Sequence, residues 1–306
     1  MEARRCFVQF LHPGLEHGPN DPEGASRAWN RGQHRRKFLR CPGRYLDGDA
    51  PSTAELVFWG EWEAQSRIVA HLVPRSREFP RYVHEPFLDW PPDPVPQGSM
   101  PPQNTDPFVF GSEFLYTCCQ QYKNGHPTQL ANLLAGSVIL FGSHLDGAFV
   151  LDTAFVVASS QVHSSKGPAL TNRVISDTYR LATIDRIYRE DDYLWRLYRG
   201  ATTEHRINGM FSFFPCQIAR KEPLGFTRPR ITLRDVINPR HKQGFKVLRE
   251  EEAGPSGFAG LWRTVVEQVL AAGCELGVEA ALPPTTIRPD ASAVDVLTGS
   301  YRCSLS

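Results

Sequence analysis

Residues 24–46 hold the densest chemistry in this chain. Seven cations, Arg27, Arg31, Arg35, Arg36, Lys37, Arg40 and Arg44, stand there without one acid, and Trp29, His34, Phe38 and Tyr45 are interleaved with them. Cations displace counterions from phosphates and aromatic rings stack on bases, so the segment suits a nucleotide or a nucleic acid. The plainer alternative is a solvated basic face whose rings anchor it to the core. We expect Arg31, His34, Arg35, Arg36 and Lys37 to hold phosphate.

Residues 55–63, ELVFWGEWE, follow. Period-two alternation predicts a strand with Trp59, Glu61 and Glu63 on one face and Phe58, Gly60 and Trp62 on the other. Trp59 and Trp62 are candidates to stack on a base. On one strand face the Cα atoms of Glu61 and Glu63 would be about 6.6 Å apart. Carboxylates at such a separation can do acid/base or nucleophilic work at a glycosidic bond; equally, the nearby arginines could pair with them structurally. Residues 103–107, QNTDP, add Gln103, Asn104 and Asp106 in a Pro-fixed turn. Side-chain amides and a carboxylate can read the edge of a base. Asx-turn chemistry explains Asn104 and Asp106 without a ligand.

Other chemistries lack their signatures. The ten histidines form no His-Glu-x-x-His, and no Cys/His cluster has zinc spacing, so we expect no metal. A Gly-x-Ser-x-Gly elbow, a Walker loop and a Rossmann glycine fingerprint are missing, and no cofactor is expected. Seven cysteines at irregular spacing, without Cys-x-x-Cys, read as reduced thiols. The adjacent Cys118 and Cys119 fit ordinary buried thiols better than a strained neighbouring disulfide. The opening MEARRCFVQF carries no signal-peptide pattern, and no stretch reaches the length of a membrane span; the expectation is a cytoplasmic protein away from membranes.

The elements that would position these residues are mostly strands. Residues 6–11 read as a first strand, 66–73 as the return of a hairpin from 55–63, and 108–118 as a hairpin about Gly111-Ser112. Ten prolines in residues 74–107, with Phe79, Tyr82, Phe87 and Trp90 among them, predict an extended loop packed on the domain. Helical periods appear at 176–190, capped by Ser176, and at 257–272, stopped by Gly273. Strands are expected at 193–198 and 210–218, the latter a sheet edge or a bulge because of Pro215. Residues 220–249 are again basic, nine Lys/Arg against Glu222 and Asp235. The tail beyond Gly273 reads as peripheral.

Residues 128–160 carry a resemblance. Here a helix-like run, 128–135, meets Gly136-Ser137, then VILFGS, a turn, and AFVLDTAFVVAS. This order resembles the centre of PUA-like domains of the ASCH and EVE type, with Ser137 where an acidic residue is usual. The resemblance implies a small β-barrel with flanking helices, and partners that are RNA or modified bases in DNA, often flipped into an aromatic pocket. It supplies no residue-level match to that pocket.

The expected fold is α+β, a mixed, strongly bent β-sheet or small PUA-like barrel with long Pro-rich loops. Residues 1–250 would form the main domain, and 251–306 a C-terminal helix and tail packed on it. The expected function is that of a bacterial-type nucleic-acid or nucleotide-binding protein, in its narrower form a reader of modified bases. The alternative is an enzyme on a nucleotide N-glycosidic bond using Glu61 and Glu63. The sequence leaves open whether it is catalytic, and its oligomeric state.

Overall fold

The structure is a computed structural model that describes residues 2–17, 35–48, 50–90, 105–168, 170, 174–190, 193–219, 225–234 and 236–287. Its strands are β1 (Cys6–Leu11), β2 (Lys37–Asp47), β3 (Ala50–Gly60), β4 (Ser66–His71), β5 (Tyr82–Pro86), β6 (Leu88–Trp90), β7 (Leu115–Tyr116), β8 (Tyr122–Lys123), β9 (His126–Pro127), β10 (Val138–Leu145), β11 (Ala148–His163), β12 (Trp195–Gly200), β13 (Phe214–Ile218), β14 (Gly244–Arg249), β15 (Glu275–Ala280) and β16 (Thr285–Ile287). The architecture is α+β and dominated by mixed sheets. No helix among the described residues is long and apolar enough to cross a membrane.

One six-stranded sheet runs β14-β1-β10-β11-β12-β7. Only β1 and β10 are parallel within it; they are buried on both faces, which is why both read as continuous apolar runs. Val8 and Phe10 of β1, with Ile139 and Phe141 of β10, enter one apolar cluster. Phe7, Val138 and Leu140 enter a second cluster on the opposite face. The β10–β11 hairpin turns on Asp146 and Gly147, both at positive φ, the combination that matches the twist of a two-residue hairpin. Its register slips between Phe141 and Gly142. A Cβ on Gly142 would come within 2.1 Å of the Val150 carbonyl, so the slip needs glycine there. The bulge sets the direction of Ser143, a site residue.

The second sheet runs β15-β13-β3-β2-β5-β4. Strand β15 also pairs with the second half of β2, so β2, β3, β13 and β15 close on one another. Gly43 and Gly277 lie in the two strands that make this closure.

Several expectations are corrected. The run at 128–135 is a single 3-10 turn, Gln129–Asn132, capped by Thr128 and ended by Leu133, whose backbone is extended. Four residues make too little helix to bury an apolar stripe, and Leu130 and Leu133 pack directly on the core. Strand β3 ends at Gly60, three residues earlier than the sequence predicts and before Glu61. Strand β4 pairs with β5 and not with β3. Pro215 lies in a strand paired on both sides, opposite Leu276 of β15, while the β3 ladder begins only at Cys216. The segment after Gly273 is not peripheral, since β15 closes the second sheet.

The helices follow the expected periods. Asp177–Tyr179 begins one with Ser176 as its cap; it passes through a π-helical stretch, Arg180–Ile184, and continues as Asp185–Glu190. The long helix Gly257–Ala271 buries Phe258, Trp262, Val265 and Val269, one stripe at spacings of three and four. Each such side chain contributes roughly 1.5–3 kcal/mol by leaving water.

Candidate functional site

Five contacts join residues from strand ends, a strand interior and two loops into one buried polar chain. Arg36 precedes β2, His12 follows β1, and Glu61 follows β3. Asp152 lies within β11, and Arg228 in the loop that bridges to β11 at Arg230. Arg228 Nη1 lies 3.2 Å from Asp152 Oδ1, and Arg36 Nε 2.7 Å from Asp152 Oδ2. Arg36 Nη1 lies 3.3 Å from Glu61 Oε2, which is also 2.8 Å from His12 Nδ1. His12 Nε2 in turn faces Cys119 Sγ at 3.1 Å. All six side chains are buried.

The charges in this chain balance, two guanidinium groups against two carboxylates. Burial disfavours the charge on Arg36, but Glu61 and Asp152 more than offset it and hold its pKa above the ordinary value. For Arg228 burial prevails: its pKa falls below the usual value, with Asp152 opposing the fall and Arg36 adding to it. Arg228 is further held by Ser143 Oγ at 3.2 Å and by the Gly14 carbonyl, which accepts from Nη2 at 2.7 Å. Its guanidinium carbon sits 4.8 Å from the centre of the Trp59 ring, a cation–π contact.

The outer end of the chain opens onto a cleft of about 670 Å³. Arg35, Arg77, Arg81 and Arg228 line it, with Trp59 and Tyr82. Three acids also line it, Glu16, Glu78 and Asp146. Two of them are engaged: Glu16 accepts the N–H groups of Arg81 and Tyr82 at 2.7 and 3.1 Å, and Glu78 pairs with Arg230 at 2.9 Å. Burial raises the Glu16 pKa, against the pull of those two N–H groups. Arg77 and Arg81 are exposed and make no ion pair among the described residues.

The nominated residues divide sharply. Arg35 lines the cleft. Arg36 instead points inward to Asp152 and Glu61, and Lys37 is buried with Nζ donating to the Ala64 carbonyl at 2.7 Å. Neither presents its charge to solvent, because they lead into a strand whose first residues are buried on both faces. Trp62 is packed in the core against Phe110, its indole N–H donating to the Gln65 carbonyl. Trp59 borders the cleft, but Arg228 covers a ring face and its N–H donates to Phe226 at 2.9 Å. Glu61 is committed to His12 and Arg36. Glu63 is half-buried past the strand end, its N–H donating to Thr105 Oγ1 at 3.3 Å, so the two acids share no strand face.

Asp106 does not face a ligand either. Its fully buried carboxylate accepts the N–H groups of Thr117, Cys118 and Cys119 at 2.8–2.9 Å, and the Cys118 thiol at 3.4 Å. Burial pushes its pKa up to about 7, although those donors pull the other way. Arg31, His34, Gln103 and Asn104 lie outside the described residues.

Sequence reasoning passed over His12, Cys119, Asp152 and Arg228. Asp152 had a signal, as a lone acid inside an apolar strand, since a buried carboxylate requires a partner. Arg228 had none beyond its basic neighbourhood. The His12–Cys119 meeting spans 107 residues and is visible only in three dimensions.

Comparison with protein-family models, with curated proteins and with solved structures finds no match to this chain.

Proposed function

We propose that the protein binds a nucleotide or a nucleic-acid segment, with its phosphates in the arginine-lined cleft. The observation that carries this reading is a lining with four arginines in which Glu16 and Glu78 are already engaged. A cleft of about 670 Å³ falls in the size range of small-ligand sites. Arg77 and Arg81 supply exposed charge for phosphate, and Arg35 adds a third cation from the basic segment. Half-exposed Tyr82, rather than either tryptophan, is the ring best offered to a base. The narrower form of the proposal, a PUA-like reader of modified bases, rests on the resemblance over residues 128–160. That stretch contributes His144, Leu145 and Asp146 to the cleft.

The test is a titration of the full chain with ATP and with short single-stranded DNA and RNA, at low and high salt. Arg77→Ala/Arg81→Ala should weaken binding roughly tenfold or more and flatten its salt dependence. No binding by the wild type, or binding indifferent to both substitutions and salt, overturns the proposal. Oligonucleotides carrying a modified base test the narrower form, which requires them to bind more tightly than unmodified ones.

A further inference from the structure

The inner end of the buried chain has a chemistry separate from the cleft. Its last three members run from thiol to imidazole to carboxylate: Cys119 Sγ to His12 Nε2 at 3.1 Å, then His12 Nδ1 to Glu61 Oε2 at 2.8 Å. We propose that Cys119 is the nucleophile of an acyl-transfer site, with His12 as its general base and Glu61 as the residue that positions the imidazole. This inference is independent of what the cleft binds.

Three observations support it. The first is the order of contacts. A carboxylate 2.8 Å from Nδ1, though out of line for a hydrogen bond, favours by its charge the tautomer that keeps a proton there, which leaves the Nε2 lone pair facing the thiol. Glu61 would then stabilise the imidazolium formed when the thiol proton moves. That transfer moves a proton within the buried chain and so adds no net charge to it, and the four charged members already balance.

The second is positioning. Asp106 holds the N–H groups of residues 117–119. The Tyr116 hydroxyl donates to the Cys119 carbonyl at 2.6 Å. The turn is therefore fixed from two sides, which a reactive group needs and a packing cysteine does not. Phe10 lies edge-on to the imidazole at 4.5 Å and Phe141 lies 6.2 Å from it, so the base works beside apolar walls.

The third is the contrast with the other thiols. Cys118, next in sequence and equally buried, donates to the Asp106 carboxylate, and burial together with that negative neighbour holds it protonated. Burial is the main cause that pushes Cys6 up to about 11, against Arg249 and Arg4, and Cys274 up to about 12, with Glu275 adding to it. Among the described cysteines, Cys119 is the one whose thiol meets an imidazole nitrogen.

The Phe10 and Phe141 rings beside the imidazole suit an uncharged acyl ester or thioester. In the first half-reaction Cys119 Sγ bonds to the carbonyl carbon and its proton passes to His12 Nε2. The bond from that carbon to the leaving oxygen or sulfur breaks, and the leaving group takes the proton from His12. In the second, water attacks the acyl-thioester, giving one proton to His12. The carbon–sulfur bond breaks, the acid departs, and the proton returns to Sγ. No oxidant or reductant is required.

The test compares two cysteines in one molecule. The full-length chain is alkylated with iodoacetamide across pH, and peptide mapping follows Cys118 and Cys119 separately. Cys119 should react roughly tenfold or more faster than Cys118, with its rate levelling below about pH 8. Glu61→Gln should move that profile to higher pH, a change that loss of packing alone would not produce. With p-nitrophenyl acetate the wild type should release one burst of p-nitrophenolate and carry an acetyl group on Cys119, and Cys119→Ser should do neither. Cys119 unreactive in the native chain, or no faster than Cys118, or lacking the acetyl adduct, overturns the proposal. So does a pH profile unmoved by Glu61→Gln in protein that remains folded by circular dichroism.

Discussion

Arg36 and Asp152 form a buried ion pair, Nε to Oδ2 at 2.7 Å, and Asp152 holds Arg228 with its other oxygen. One carboxylate thus bridges two guanidinium groups in the interior, and Glu61 beside Arg36 supplies the second negative charge. Asp152→Asn keeps the shape and removes the charge, leaving both arginines under-compensated. The expected cost is about 3–5 kcal/mol of unfolding free energy. Denaturant unfolding measures it, and a loss below about 1 kcal/mol would show that solvent already screens the chain.

The arginines of the cleft should behave in the opposite way. Arg77 and Arg81 are exposed and make no ion pair among the described residues, so Arg77→Ala or Arg81→Ala should change stability by no more than about 0.5 kcal/mol. Their effect belongs to binding. Arg36→Ala should instead cost several kcal/mol, on the scale of other broken buried pairs. Thermal unfolding alongside the nucleotide titration separates the two sets; parallel losses in both would dissolve the distinction between cleft and interior.

Acid should weaken the fold through two buried histidines. Burial lowers His163 to about 4, and burial with Lys37 close by lowers His84 to about 3, from an ordinary 6.5. Between those values the unfolded chain binds more protons than the folded one, so stability falls as pH drops from about 6.5. From pH 7 to 5 each histidine should remove on the order of 2 kcal/mol. Asp106 has the opposite sign. Its pKa rises to about 7 from 3.8, so it favours the fold increasingly as pH falls through that window. His163→Gln should shallow the acid loss, and Asp106→Asn should steepen it. Denaturant midpoints at pH 7 and 5 decide, and slopes unchanged in both variants would refute the assignment.

The legible features were local. The strand runs 6–11 and 138–142, the Ser176 cap and the glycine stop after the long helix follow from periodicity and backbone preference. The site was half-legible. Glu61 and the 35–37 cations stand out by type, but type does not say which way a side chain faces. A strand starting at Lys37, buried on both faces at its outset, turned the expected phosphate contacts inward. The ends of β1, β2 and β3 meet only because β1 pairs with a strand well over a hundred residues away, and no periodicity encodes that register. The same holds for β15, whose sequence looks like a tail until its partners are known.

That strand also supplies the sharpest packing test. Phe214 of β13 lies opposite Gly277 of β15, and a Cβ on Gly277 would stand 2.2 Å from Phe214 Cε2. The ring has little room to yield, since Phe58 lies 4.3 Å away on one side and Phe114 stacks at 5.8 Å. Gly277→Ala therefore forces β15 away from β13 at the point where it also reaches β2. The expected loss is about 1–3 kcal/mol, the usual cost of overpacking. A second change that shortens the neighbour, Phe214→Leu, should recover part of that loss in the double variant although it destabilises on its own. The sign of that coupling distinguishes a steric clash from a general dislike of alanine in the strand. Strict additivity in denaturant unfolding would mean that the ring and the glycine do not meet as the closure of β2, β3, β13 and β15 requires.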